Sequence, residues 1–218
     1  DSAYSSHDWH FRIDGVESDD THLRLRRQFR VIRSSNLRNG GREDMRLDVN
    51  SAAWDDLLTR GHGALFLPPS FDFSFERNTP RQGNWAFDTE LDLQTGGLSA
   101  NRELRWAVSF TPTYFISDAL RVHAGLEYQR TPDWLVWQHD NLVGRFDQRM
   151  LELDTGFDWS IDARQELRLK LQDIGLDASV RDAWLVAANG SAVNHVSLLE
   201  DNRYGGLSTN SPLLRHGI

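Results

Sequence analysis

The sequence contains no cysteine and a single lysine, Lys170. Without cysteine the chain can form neither a disulfide framework nor a thiolate metal site. Its formal net charge of -8 argues against a nucleic-acid partner, because such binding depends on basic side chains that neutralise phosphates. The chain also lacks a phosphate loop, a nucleophile elbow and an H-E-x-x-H motif. We therefore expect a non-enzymatic protein without a cofactor or a bound metal.

Long apolar runs are absent as well. No stretch approaches the ~20 consecutive apolar residues that a membrane-spanning helix requires, and hydrophobic residues make up only 39% of the chain. A membrane β-barrel remains possible, because only every second residue of its strands faces lipid. The sequence begins at Asp1 without a basic or apolar leader, from which we expect an inner part of a longer exported protein.

The dominant pattern is an alternation of apolar and polar residues with a period of two, which indicates β-strands. It is clearest at residues 85–94, W-A-F-D-T-E-L-D-L-Q. A helix would spread each set around its whole circumference. Further segments with this pattern are 104–114, 120–129, 151–161 and 167–172, with weaker ones at 22–33, 42–53 and 65–77.

Short turns are predicted near residues 117 and 163, and longer polar loops at 96–102 and 131–145. About eight strands joined in sequence predict an all-β fold, an antiparallel up-and-down meander. Strands of about ten residues and the alternation of short and long connections favour an outer-membrane-type β-barrel, or part of one. We expect one domain over 1–218, whose tail, 196–218, has no clear strand pattern.

The alternation itself leaves the orientation of the two faces open. In a membrane barrel the apolar face contacts outer-membrane lipid and the polar face lines the lumen; in a soluble β-sandwich or lipocalin-like ligand-binding barrel the apolar face is the core. Aromatic residues near the strand ends favour the membrane barrel. The residues that we then expect to face the lumen are Asp88, Glu90, Arg121, His123, Glu127, Glu152, Asp154 and Arg168.

Four stretches over about residues 50–180 resemble the DUF5916 family of Gram-negative bacteria. They are residues 55–61 (DDLLTRG), 132–138 (PDWLVWQ), 140–147 (DNLVGRFD) and 165–172 (QELRLKLQ) with 174–178 (IGLDA). The resemblance implies the C-terminal barrel region of an exported outer-membrane protein, of a kind often preceded by a family 9 carbohydrate-binding module. That module is absent here, and the resemblance implies no catalytic residues.

The predicted 131–145 loop carries the best candidate for a ligand site. Indole rings stack on sugar rings, while neighbouring carboxylates and amides bind the hydroxyls, so this group suggests saccharide binding; the alternative is an aromatic girdle at the membrane interface. The candidate residues are Asp133, Trp134, Trp137, Gln138, Asp140 and Asn141.

Two weaker candidates remain. Glu90, Glu127, Glu152 and Asp154 could converge as the carboxylate pair of a carbohydrate-active enzyme, although a solvated lumen wall is the simpler interpretation. The H-D-W-H motif at residues 7–10 has metal-ligating side chains, but no second cluster in the sequence completes a site.

Overall fold

The computed structural model describes residues 3–98 and 103–195. The predicted tail therefore lies outside the described residues. No helix among the described residues is long and apolar enough to cross a membrane. The strands are β1 (Tyr4–Glu17), β2 (Arg24–Leu37), β3 (Arg42–Asn50), β4 (Ala53–Asp55), β5 (Leu65–Leu67), β6 (Ser70–Asn78), β7 (Trp85–Gly96), β8 (Glu103–Phe115), β9 (Leu120–His139), β10 (Leu142–Ser160), β11 (Glu166–Val186) and β12 (Ala192–His195).

Ten of these strands form one antiparallel sheet in the order β1-β2-β3-β6-β7-β8-β9-β10-β11-β12, and β4 pairs with β5 in a separate hairpin. The prediction of an all-β antiparallel meander is thus confirmed. The sheet is larger than expected, because β1 and β12 were not predicted and β11 continues beyond the clear alternation. Within the described ranges no ladder joins β1 to β12.

The connections differ between the two ends of the sheet. At one end, the turn end, residues 38–41, 79–84, 116–119 and 161–165 link the strands. At the opposite end, the hairpin end, β9, β10 and β11 continue well past β8, and β9 and β10 meet at a two-residue turn. Asp140 in that turn has a positive φ of 43°, as tight β-hairpin turns require. The predicted turns near 117 and 163 are confirmed.

The prediction of a loop over 131–145 is wrong, because β9 and β10 run through it. Pro132 and the polar residues around it suggested a loop. In the structure Pro132 lies where the β9–β10 register shifts, between the pairs Thr131–Gln148 and Trp134–Phe146. A proline is tolerated at such a β-bulge because no regular ladder bond is needed there.

The sheet has one apolar and one polar face. On the apolar face, the register aligns Phe110 with Leu126 and Leu126 with Leu153 across three adjacent strands. Leu126 is 48% exposed, and Phe110 and Leu153 are exposed as well. The alternation therefore does not bury the apolar residues of the sheet in a core.

The main hydrophobic core lies instead at the hairpin end. Residues 51–69, which link β3 to β6 and include the β4–β5 hairpin, are here called the crossing segment. Leu65 of this segment is fully buried with Val143 of β10 and Val186 of β11. The crossing segment thus connects β3 to β6 and packs against β10 and β11, on the other side of the sheet.

Candidate functional site on the polar face

All eight residues predicted to face a lumen share the polar face. The register joins Glu90 to Ser109, Ser109 to Glu127 and Glu127 to Glu152 in one row across β7–β10. Asp88, Arg121, His123, Asp154 and Arg168 fall on the same side by the two-residue period of their strands. The register thus places all eight on one face, and their exposure to a lumen stays a prediction.

Ion pairs link neighbouring strands along this face. The Arg30 guanidinium contacts the Asp48 carboxylate at 2.7 Å, and Asp48, which also pairs with Arg46, has a side chain only 1% exposed. At the other side of the sheet, the Arg121 guanidinium lies 2.7 Å from the Asp158 carboxylate. Paired charges on adjacent strands hold the polar side chains in fixed positions and offset much of their charge.

Asp154 and His123, two of the predicted lumen residues, form one such group. The Lys170 ammonium lies 2.6 Å from one Asp154 oxygen, and His123 Nε2 lies 3.1 Å from the other. Asp154 therefore has a cationic partner, which makes it a structural rather than a free carboxylate. Arg168 pairs with Glu166 at 2.8 Å.

The remaining carboxylates form an acidic row. Glu76 on β6 is the register partner of Glu90, and Glu127 is the partner of Glu152, with Ser109 between the two pairs. Gln172 donates a hydrogen bond of 2.5 Å to Glu152. This row brings together three of the four residues of the hydrolase hypothesis. A row of carboxylates also attracts cations, as in the charged rings of cation channels.

A cavity of about 550 Å³ lies against this face near the hairpin end. Its lining comes from β2, β3, β6, β7, β8 and β9, so the polar faces of six adjacent strands converge on one space. Acidic and basic residues line it in equal number. They are Arg26, Arg30, Arg46 and Arg105, and Asp48, Asp72, Asp92 and Glu127.

The two tryptophans predicted to bind a saccharide lie on β9 and have protein neighbours. The Arg60 guanidinium lies 5.0 Å from the centre of the Trp137 ring, and the His62 ring is stacked 6.0 Å from it. Trp137 Nε1 donates to the Asp140 carbonyl at 2.9 Å. Trp134 contacts Phe146 at a ring distance of 6.0 Å. Trp137 therefore serves as a contact for the crossing segment.

The amides in the same group support the backbone. Asn141 donates from its side chain to the Val186 carbonyl at 2.9 Å, which ties the β9–β10 turn to β11. Gln138 donates to the Val136 carbonyl at 3.0 Å. The Asp140 carboxylate lies 3.1 Å from His139 Nδ1. These contacts account for side chains that the sequence suggested as sugar ligands.

Sequence reasoning missed a buried ionic network at the hairpin end. Arg145 of β10 contacts Asp133 of β9 at 3.0 Å and Asp182 of β11 at 2.5 Å. The Asp133 side chain is 6% exposed, and burial raises its pKa although Arg145 opposes the shift. Asp133 and Trp134 also line a second cavity of about 440 Å³. The one sequence feature that could have pointed to this network is that Asp133 and Arg145 lie within two of the stretches that resemble the DUF5916 family.

The H-D-W-H motif is divided between the faces of β1. Asp8 pairs in register with Ser34 on the polar face, whereas His7 pairs with Ser35 and its Nδ1 lies 3.0 Å from the Ser35 hydroxyl. Alternation along the strand places His7 on the face opposite Asp8 and His10. Among the residues that the structure describes, no group of three or more histidine or acidic residues is placed to hold a metal ion.

No family model, no curated protein and no solved structure matches this chain. The fold and the site thus define a class only, an antiparallel all-β meander with a charged, ion-paired face.

Proposed function

We propose that this chain forms the wall of a non-enzymatic outer-membrane β-barrel. Its apolar face contacts lipid, and its polar face lines an aqueous interior through which polar solutes pass. The observation that carries this proposal is the uncovered apolar face of the ten-stranded sheet. The resemblance to the DUF5916 family supports the same assignment and a location in a Gram-negative outer membrane.

The extent of the apolar face favours lipid over water. Monomeric soluble proteins rarely expose continuous apolar patches of more than a few hundred Å². Here exposed large apolar side chains occur from Phe11 on β1 to Leu169 on β11. In a soluble sandwich a second sheet would cover them at about 10 Å, but the described chain contributes only the two-stranded β4–β5 hairpin, whose Leu65 packs at the hairpin end.

Two aromatic pairs bound an apolar band on this face whose height suits a membrane barrel. Trp85 and Tyr114 lie 4.8 Å apart near the turn end, and Trp106 and Tyr128 lie 5.2 Å apart nearer the hairpin end. Eight residues separate Trp106 from Tyr114 on β8, which is about 26 Å at ~3.3 Å per residue. At the usual strand tilt of about 40° the height is about 20 Å, close to the ~25 Å apolar band of membrane barrels.

The same face becomes charged directly beyond the second aromatic pair. Arg130 follows Tyr128 by two residues on β9 and is the register partner of Arg149 on β10. Asp147 then contacts Arg130 at 3.2 Å. A change from aromatic to charged residues at one level is expected where strands leave the bilayer and enter water. The extended β9–β10 hairpin therefore projects from the membrane.

Saccharide binding stays a prediction, and its location changes. Trp137 contacts Arg60 and His62 of the crossing segment, whereas Asp133 and Trp134 line the 440 Å³ cavity together with polar residues such as Gln94 and Arg105. This cavity has a size within the range of small-ligand sites. Titration with maltose in a non-glycosidic detergent, followed by tryptophan fluorescence, should show a saturable change that Trp134→Phe removes.

The wall assignment can be tested by labelling single cysteines, since the natural chain has none. Leu126→Cys and its neighbour Glu127→Cys would each carry an environment-sensitive fluorophore after the protein is folded into phospholipid vesicles. We expect blue-shifted emission at position 126 and water-like emission at position 127. Water-like emission at both positions, or a stable β-sheet circular dichroism spectrum in buffer without detergent, would instead favour the soluble binding module.

A further inference from the structure

We infer that the crossing segment, residues 51–69, is a plug that closes the hairpin end of the interior. This inference rests on the proposed barrel. It follows from where the segment lies: it starts at β3 and ends at β6, and its Leu65 packs on β10 and β11. It also shares cavities with polar-face residues of the sheet, Arg26 and Gln94.

The first anchor of the plug is its β5 strand. Leu65 is 0% exposed and packs with Val143 and Val186, so its side chain is seated in the wall. The adjacent Phe66 N–H donates to the Gly190 carbonyl at 2.9 Å, which ties the plug to the β11–β12 turn. Apolar burial and a backbone hydrogen bond together hold this edge.

A second anchor is the contact of Arg60 and His62 with the Trp137 ring on β9. On the opposite side the plug faces the first strands of the sheet. Trp54 shares a cavity of about 510 Å³ with Val16 of β1 and Leu25 of β2. The plug therefore reaches from one side of the curved sheet to the other, above the charged 550 Å³ cavity.

The plug folds on itself and is only partly sealed to the wall. Asp55 accepts hydrogen bonds from the backbone N–H groups of Leu57 and Leu58 at 3.0 and 2.9 Å, and the Thr59 hydroxyl donates to the Gly63 carbonyl. These bonds lie within the segment. Cavities of about 510 and 440 Å³ flank it. A segment with internal support and few anchors can leave the wall as a unit.

The test compares two substitutions within the plug. Leu65→Asp places a charge in the buried anchor, whereas Leu57→Asp, at a residue that is 83% exposed, is the matched control. The reporter is Gln94→Cys, which lines both the 440 Å³ and the 550 Å³ cavities. Thr113→Cys, on the polar face toward the turn end, is the control reporter. Protein folded in detergent micelles is labelled with a polyethylene-glycol maleimide.

We expect Leu65→Asp to speed labelling at position 94 at least about tenfold, which corresponds to ~1.4 kcal/mol. The same substitution should change labelling at position 113 little. Leu57→Asp should leave the labelling rate at position 94 unchanged. Equal labelling rates at position 94 in the natural protein and in both variants would overturn the inference of a plug. Because a charged substitution can impair folding, Arg60→Ala with His62→Ala provides a second release variant, and circular dichroism verifies the sheet. Loss of the fluorophore pattern at positions 126 and 127 would refute the barrel; a normal pattern with unchanged labelling would refute only the plug.

Discussion

Replacement of Leu126 by arginine is the sharpest perturbation of the proposed wall. Leu126 lies on β9 between Phe110 of β8 and Leu153 of β10 on the apolar face. Phe110 is midway along β8 between Trp106 and Tyr114, so its row lies near the centre of the apolar band. In the proposed membrane wall, a charge at this level would lie in the middle of the hydrocarbon.

An arginine at the bilayer midplane of a membrane barrel costs ~2–4 kcal/mol. Glu127, the next residue, points to the opposite face and is the partner of Glu152. Arginine at position 127 would replace a carboxylate in the acidic row and relieve like-charge repulsion, so we expect a neutral or slightly favourable effect there. The two adjacent substitutions should therefore differ by at least ~2 kcal/mol in the free energy of unfolding.

The measurement is reversible denaturant unfolding in phospholipid vesicles, followed by tryptophan fluorescence. Leu126→Arg should lower the unfolding midpoint with an unchanged slope, and Glu127→Arg should leave the midpoint near that of the natural protein. Equal losses at both positions would refute the assignment of the apolar face to lipid. A loss at Glu127 alone would place the apolar face in water and the polar face in a packed interior.

Two further substitutions probe the hairpin end. Gly190 has a φ of +75°, and an added Cβ would collide with the Trp54 ring. Gly190→Ala should therefore weaken plug docking by ~1–3 kcal/mol and raise the maleimide labelling rate at position 94. An unchanged rate would contradict the contact between Gly190 and Trp54. Burial tends to raise the pKa of Asp147, but hydrogen bonds from Arg130 and Arg181 outweigh it and lower the pKa. The resulting stability is present above the unfolded-state pKa of about 3.9 and is lost as the pH falls through the folded-state pKa. Asp147→Asn should therefore lose less free energy of unfolding than the natural protein between about pH 6 and about pH 3. Equal losses in the two proteins would exclude this pH linkage.

The strands between the two aromatic pairs could be predicted from the sequence because each residue there lies on one of only two faces, apolar or polar. Trp85, Phe87 and Leu91 alternate with Asp88 and Glu90, and the structure keeps this division. The faces of the sheet and its polar set follow from that period alone. The partners within the polar set do not, because a one-residue change of register alters every cross-strand pair.

The hairpin end could not be predicted in the same way. Beyond Thr131 the strands pack on the crossing segment, so apolar residues such as Leu135 and Val143 contact its buried cluster. The simple alternation is lost at the β-bulge near Pro132, where the register shifts. Sequence alone also gave no indication that residues far apart, such as Arg60 and Trp137, would meet. The saccharide prediction for Trp137 assumed an open loop, whereas its ring contacts Arg60 and His62; saccharide binding at this ring stays a prediction.

The same bulge explains how one pair of strands can serve two environments. Below it, β9 presents Leu126 and Tyr128 on the face that we assign to lipid, and above it Leu135 lies against the core that holds the crossing segment. The extra residue at the bulge keeps Leu135 on the face of Leu126, since their partners Arg145 and Leu153 lie on one face of β10. A β-bulge also bends its strand and increases the local twist, so it can redirect the upper part of β9 toward the crossing segment. The shift lies one residue beyond Arg130, where the apolar face has become charged. The bulge thus lies between the proposed membrane band and the strands that contact the crossing segment. We expect a deletion of Pro132, which would remove the bend but keep Leu135 opposite Arg145, to disturb plug docking while the strands inside the proposed band stay folded.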